Sequence, residues 1–88
     1  MGFVKAKVKF FAALSEMTGA RELSLELADG QTMRDLFREL CARFPRLAEY
    51  GPILLYSVNA EYVGPEHALR DGDEVALIPP VSGGRDAG

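Results

Sequence analysis

The sequence is poor in the side chains that enzymes use for catalysis. Its 88 residues include one cysteine, Cys41, and one histidine, His67. It contains no phosphate-binding glycine loop, zinc-ligand spacing or pair of catalytic carboxylates. A reactive or metal-bound cysteine needs a base or further ligands beside it, so Cys41 is predicted to pack in the core and His67 to be a solvated loop residue. The chain is therefore predicted to bind no metal and to be no enzyme by itself.

The sequence also lacks the signals of membrane and nucleic-acid proteins. No apolar run approaches the roughly 18 residues that a spanning helix needs. The net charge of −3 leaves no basic surplus to neutralise phosphates. The first residues alternate apolar and basic side chains, unlike a signal peptide, and a single cysteine agrees with a reducing compartment. We therefore expect a cytoplasmic protein without nucleic-acid or membrane partners.

Two segments near the N-terminus alternate between apolar and polar residues, which is typical of half-buried strands. Residues 3–10 place Val4, Ala6, Val8 and Phe10 on one side and three lysines on the other. Residues 21–27 alternate leucines with Glu22, Ser24 and Glu26. Gly19 is predicted to end a short helical turn between them. Lys5, Lys7 and Lys9 are the only lysines of the chain. Antiparallel pairing would set them beside the glutamates, as a docking or modification stripe or as an ordinary solvated sheet surface.

A single well-formed helix follows. Thr32 and Asp35 have the spacing of a capping box, and Pro45 marks the end of the helix. Apolar residues recur at helical spacing at Met33, Leu36, Phe37, Leu40, Cys41 and Phe44. The remaining predictions are a loose turn over 47–51, a strand over 53–58, a tight hairpin at Asn59–Ala60, a turn at Asp71–Asp73 and a strand over 75–78. This order predicts an α+β fold, a mixed sheet with the helix on one face.

The C-terminal strand runs into a segment of unusual composition. Pro79 and Pro80 lack the N–H groups that a sheet needs, so an extended arm of residues 79–84 is predicted. Six extended residues reach roughly 20 Å at about 3.3–3.6 Å each, enough to enter a partner's active site. Gly83 and Gly84 at its end could thread a narrow channel and expose a backbone carbonyl carbon, although a glycine pair near a terminus can also be a frayed end.

The block Asp71–Gly84, DGDEVALIPPVSGG, resembles the end of the small subunit of molybdopterin synthase, the MoaD-type sulfur carriers of the ubiquitin-like ThiS group. Three further segments are similar to that family in the same order: Val8–Gly19, Gln31–Leu36 and Ser57–Tyr62. The resemblance implies a β-grasp domain over residues 1–78, with about five strands and the last strand parallel to the first in the middle of the sheet. Residues 79–84 would form a flexible arm.

The resemblance also implies a function in molybdenum cofactor biosynthesis. An ATP-dependent adenylating enzyme would activate the Gly84 carboxylate, and a sulfur donor would convert it to a thiocarboxylate. The arm would then enter the large subunit of molybdopterin synthase and give its sulfur to cyclic pyranopterin monophosphate. Ile78 would dock on the partner, and Gly83 would provide clearance in the channel. The threading residues would be Pro79, Pro80, Val81 and Ser82. No cofactor would be bound by the chain, because ATP serves the activating enzyme.

One departure from the family is the tail 85–88 beyond the twin glycine. A peptide bond at Gly84 blocks its carboxylate. The tail is explained by a peptidase that removes Arg85–Gly88, by loss of the carrier role, or by residues left from an expression vector. Alternative functions are a ubiquitin-like protein modifier, a sulfur carrier for thiamine or tRNA thiolation, and a paralogue that only binds partners.

Overall fold

The computed structural model describes residues 2–79. The elements of this range, in chain order, are β1 (Phe3–Phe10), α1 (Ala13–Thr18), β2 (Glu22–Ala28), α2 (Met33–Arg43), a 3₁₀ helix (Pro45–Ile53), β3 (Leu55–Val58), β4 (Glu61–Val63) and β5 (Glu74–Ile78). None of the helices in residues 2–79 has the length and apolar character needed to cross a membrane.

The strands form one mixed sheet in the order β2-β1-β5-β3-β4. β1 pairs with β2 antiparallel and with β5 parallel, and β3 pairs antiparallel with both β4 and β5. A parallel pair needs a long crossover connection, which here contains α2. The first and last strands therefore lie side by side in the centre of the sheet. This is the β-grasp arrangement, and the predicted fold is confirmed.

One face of the sheet is buried against the helices. Along β1, Val4, Ala6, Val8 and Phe10 are at most 5% exposed, while Lys5 and Lys7 on the alternate positions are exposed. β2 follows the same alternation, so the predicted patterns of both strands are confirmed. Met33, Leu36 and Leu40 of α2 are fully buried in the same core cluster. We call this side of the sheet the inner face and the other side the open face.

The start of α2 is fixed by the predicted capping box. The Thr32 N–H donates to Asp35 Oδ2 at 2.9 Å, and the Asp35 N–H donates to Thr32 Oγ1 at 3.4 Å. These bonds satisfy donors that a helix start leaves without partners. The backbone bond from Thr32 is the main reason that the pKa of Asp35 lies below its ordinary value. Gly19, at φ 75°, ends α1 in the left-handed conformation, as predicted.

The segment after α2 differs from the prediction. Residues 47–51 were expected to form a loose turn and residue 53 to begin a strand, but Pro45–Ile53 is a 3₁₀ helix and β3 begins only at Leu55. Pro52 has no N–H for a sheet ladder, and its ring fixes φ near the helical value. The fully buried Leu47 anchors this helix to the core. Ile53 consequently leaves the sheet, with half of its surface exposed.

The predicted hairpin at Asn59–Ala60 is confirmed and joins β3 to β4. Both residues have positive φ, 51° at Asn59 and 72° at Ala60. Two consecutive left-handed residues are what the preferred two-residue hairpin turn requires, because its twist matches that of the strands. Asn tolerates this conformation well, whereas the Cβ of Ala60 is strained there.

Candidate functional site

β5 is paired on one side with β1 up to Leu77 and on the other side with β3 up to Ile78. Its Leu77 is in register with Phe10 of β1, and Ile78 is in register with Leu55 of β3. Pro79 follows at once and lies outside the strand, so β5 ends at Ile78 in the middle of the sheet. The predicted central position of the last strand is therefore confirmed. Pro80–Gly84 and the tail 85–88 lie outside the described residues, so the roles predicted for Pro80, Val81, Ser82, Gly83 and Gly84 stay predictions.

The start of β5 is anchored by a polar network around Asp73. This carboxylate is 8% exposed and accepts hydrogen bonds from the Arg70 N–H at 2.8 Å and from Asn59 Nδ2 at 2.9 Å. Asn59 Oδ1 in turn accepts from the Glu74 N–H at 3.0 Å. The network ties the β3–β4 hairpin to the first residue of β5 and so fixes the register of the strand. A slip of one residue would turn Ile78 to the inner face.

A second anchor ties the same turn to β1. The Lys5 N–H donates to Asp71 Oδ1 at 2.8 Å, and the Gly72 N–H donates to the Lys5 carbonyl at 2.8 Å. Gly72 has φ 87°, which confirms the predicted need for a residue without Cβ in this turn. Both neighbours of β5 therefore hold its first residues and fix the position of the strand in the sheet.

The lysine stripe lies on the open face, as predicted. In the register of β1 and β2, Lys5 stands opposite Glu26 and Lys9 opposite Glu22. The ion pair of Lys9, however, is made with Glu74 of β5, with 2.9 Å between Nζ and Oε2. This hydrogen bond raises the pKa of Lys9 and lowers the pKa of Glu74 from their ordinary values. Because both side chains are substantially exposed, the pair contributes little to stability.

Exposed apolar side chains surround the base of the arm. Leu55, the register partner of Ile78, is 50% exposed, and Tyr62 on the neighbouring β4 is 72% exposed. Phe11, directly after β1 at the same end of the sheet, is 47% exposed. We call Phe11, Leu55, Tyr62 and Ile78 the arm-base patch. Clustered exposed apolar residues mark interaction surfaces, so the patch extends the docking position predicted at Ile78 alone.

Sequence reasoning did not single out the exposed residues Phe11, Leu55 and Tyr62. Hydrophobicity alone cannot separate an exposed leucine or tyrosine from a core residue. The signal that could have found them is strand parity: once β3 is paired with β5, Leu55 must share the open face with Ile78. Finding that pairing required the topology of the whole sheet.

The described residues show no catalytic grouping around Cys41 or His67. Cys41 packs against the core from α2, as predicted, and its partial burial raises the pKa of its thiol. His67 is exposed in the loop between β4 and β5, where its carbonyl accepts a hydrogen bond from the Met33 N–H. Within residues 2–79 there is no group of three or more His, Cys, Asp or Glu that could hold a metal ion.

Comparison with known proteins gives consistent results along nearly the whole chain. The model of the ThiS family matches residues 8–84. The molybdopterin synthase sulfur carrier subunit of Chlamydomonas reinhardtii is 42% identical, with 92% of this chain and 100% of the relative covered.

Two solved structures are also similar. A Pyrococcus furiosus structure described as molybdopterin converting factor subunit 1 is 34% identical at a TM-score of 0.81, covering 89% of this chain and 99% of that one. The small archaeal modifier protein 1 of Haloferax volcanii is 26% identical at a TM-score of 0.79, with the same coverage. From the extent of these matches, the chain belongs to the ThiS family.

Proposed function

We propose that the chain is the sulfur carrier subunit of a molybdopterin synthase and carries sulfur as a thiocarboxylate on Gly84. The observation that carries this proposal is the similarity to a carrier subunit over that protein's full length. The family match ends at Gly84, the residue to which the chemistry is assigned. The pairing of β5 with a strand on each side supports the same function, because an arm that starts from a strand held in the sheet can be aimed into a partner.

The chemistry requires a free carboxylate at Gly84. Hydrolysis of the Gly84–Arg85 peptide bond by a peptidase would supply it. A carboxylate oxygen then attacks the α-phosphorus of ATP on an adenylating enzyme, and pyrophosphate leaves. Hydrosulfide attacks the acyl carbon of the resulting adenylate, AMP leaves, and loss of the proton from sulfur gives the thiocarboxylate at Gly84. The chain itself supplies the acyl group and positions it. Its partner enzymes supply the catalytic groups, and the adenylating enzyme binds the ATP.

The large subunit of the synthase is the partner at which the sulfur is used. The arm-base patch would seat on that subunit, with Ile78 and Leu55 buried, while residues 79–84 enter its active site. Desolvating a few apolar side chains around a buried centre is the usual source of binding energy in such interfaces. After sulfur passes to the pterin precursor, Gly84 returns to the carboxylate form and the carrier can be activated again.

The proposal is tested by intact mass spectrometry. A chain ending at Gly84 is incubated with the adenylating enzyme, ATP and sulfide, and its mass is expected to rise by the exchange of one oxygen for one sulfur. The matched controls are a chain ending at Gly83 and the 88-residue chain without a peptidase, both expected to remain unchanged. A chain ending at Gly84 that forms neither adenylate nor thiocarboxylate contradicts the proposal.

A second candidate function is a protein modifier joined through Gly84 to lysines of other proteins. The similarity to the Haloferax volcanii modifier favours it. The activation step is common to both functions, so the product separates them. Isopeptide-linked adducts in cells producing the chain would support the modifier, and thiocarboxylate alone would support the carrier.

A further inference from the structure

Ser57 is the only buried residue that the described strands place on the open face. It lies in the middle of β3, with Ala76 of β5 as its register partner on one side and Tyr62 of β4 on the other. Its exposed fraction is 8%, whereas Ser24, on the same face of β2, is exposed. Ser57 therefore forms part of the floor of the open face, next to the arm-base patch.

The hydroxyl of Ser57 has no hydrogen-bond partner among residues 2–79. Two less buried hydroxyls of that range do have partners: Ser15 Oγ donates to the Ala12 carbonyl at 2.8 Å, and Thr18 Oγ1 donates to the Leu14 carbonyl at 3.0 Å. Buried hydroxyls in folded proteins are nearly always bonded, because an unpaired one loses its interactions with water and gains nothing in return. A buried unpaired hydroxyl on a binding face is suited to accept or donate a bond when a partner arrives.

The surroundings of Ser57 define which partner group would fit. Leu55 and Ile78 form the next register pair on the open face, two residues closer to the end of β5 than Ser57 and Ala76. Tyr62 is the register partner of Ser57 on β4. The nearest charged neighbour across β5 is Lys9, which is already paired with Glu74. A partner that covers this apolar surface would exclude water from the hydroxyl. Burying an unpaired charge of the partner there would cost binding free energy. The fitting group is a neutral one, such as a main-chain carbonyl or amide.

We propose that Ser57 is a specificity-determining residue of the docking surface, with its hydroxyl hydrogen-bonded to a neutral main-chain group of the large subunit. This inference rests on the proposed function, since the large subunit is the partner that receives the arm. Apolar contacts at Phe11, Leu55 and Ile78 would contribute affinity but would not fix the orientation of the partner, because the hydrophobic effect is non-directional. One directional bond at the centre would fix the register of the partner on the sheet, and with it the depth to which the arm is inserted.

A packing role and a binding role for Ser57 give opposite results in one variant. Ser57→Ala removes a buried hydroxyl that has no hydrogen-bond partner within residues 2–79, so the free carrier is expected to be as stable as the wild type or slightly more stable in thermal unfolding. The same change deletes a bond in the complex. Its Kd for the purified large subunit, measured by isothermal titration calorimetry, is expected to rise by roughly three- to tenfold, the worth of one neutral hydrogen bond.

Ser24→Ala is the matched control, because it removes an exposed hydroxyl from the same face two strands away from β5. Its Kd is expected to equal that of the wild type. An unchanged Kd in Ser57→Ala, or a parallel loss of stability and affinity, overturns the inference while leaving the proposed function standing. If the wild-type chain itself does not bind the large subunit, the proposed function and this inference fail together.

Discussion

Leu55 and Ile78 stand opposite each other on the open face, at the last pair of the β3–β5 ladder. Leu55 is half exposed, so two adjacent apolar side chains flank the point at which the chain leaves the sheet. If the chain delivers sulfur as proposed, a partner that receives residues 79–84 would approach over these two side chains.

Ile78→Ala is expected to weaken binding of the large subunit by about 2 kcal/mol, the usual lower limit for an interface residue that dominates the binding energy. The side chain is truncated at a partly exposed position, so the fold is retained. Titration calorimetry with the large subunit measures the change. Phe3→Ala is the control, because Phe3 is 70% exposed on the open face at the opposite end of β1. Equal effects of the two variants would contradict a docking surface at the base of the arm.

Asn59→Ala is expected to destabilise the fold by about 2–3 kcal/mol, because the buried Asp73 carboxylate loses a hydrogen-bonding partner. The measurement is urea denaturation followed by circular dichroism. Ala60→Gly, one residue further, should act in the opposite direction and stabilise by up to about 1 kcal/mol, since it relieves a left-handed alanine at φ 72°. Destabilisation by both changes would show that the conformation of the hairpin turn, rather than the hydrogen bonds of Asp73, determines the stability of this region.

Asp35→Asn should lower stability at neutral pH and have little effect in acid. The folded state holds the pKa of Asp35 below its ordinary value of 3.8, chiefly through the backbone bond from Thr32. The stabilisation by the carboxylate is therefore present above that value and is lost as the pH falls through the lower folded pKa. Denaturation curves of both proteins across this range measure it, with Glu49→Gln in the exposed 3₁₀ helix as control. A stability difference that is independent of pH would contradict the assignment.

The Cys41 thiol is expected to react with a disulfide reagent at least roughly tenfold more slowly in the native chain than in urea. Its burial raises the pKa, so little thiolate is present at neutral pH. Absorbance of the released thiolate gives both rates. Cys41→Ala should still gain sulfur at Gly84 in the mass-spectrometric assay. Loss of sulfur loading in this variant, with the fold intact, would give Cys41 a function that its packing does not suggest.

The sequence predicted most of the fold because its local signals agree with the tertiary structure. Alternation along residues 3–10 and 21–27, the Thr32–Asp35 capping box and the Gly72 turn each specify one local geometry. The segment Pro45–Ile53 was predicted wrongly because its apolar residues fit a turn and a strand as well as a 3₁₀ helix. The burial of Leu47, a tertiary contact, decides between them.

The site was only partly predictable for a related reason. Ile78 is predicted as a docking residue from its place before two prolines and from resemblance to the carrier family, and that role stays a prediction. Tyr62 and Leu55 have no local mark, since their exposure depends on strand pairing across the sheet. Ser57 is still harder to recognise, because the sequence does not show that a serine on a solvent-facing side of a sheet is buried.

The central position of β5 also determines how the protein responds to force. A force applied along the axis of β5 would act on a strand that is bonded to β1 on one side and to β3 on the other. The hydrogen bonds of both ladders are then loaded in shear. They carry the force together instead of breaking one after another. This arrangement favours a domain that keeps its fold when its last strand is pulled along its own axis.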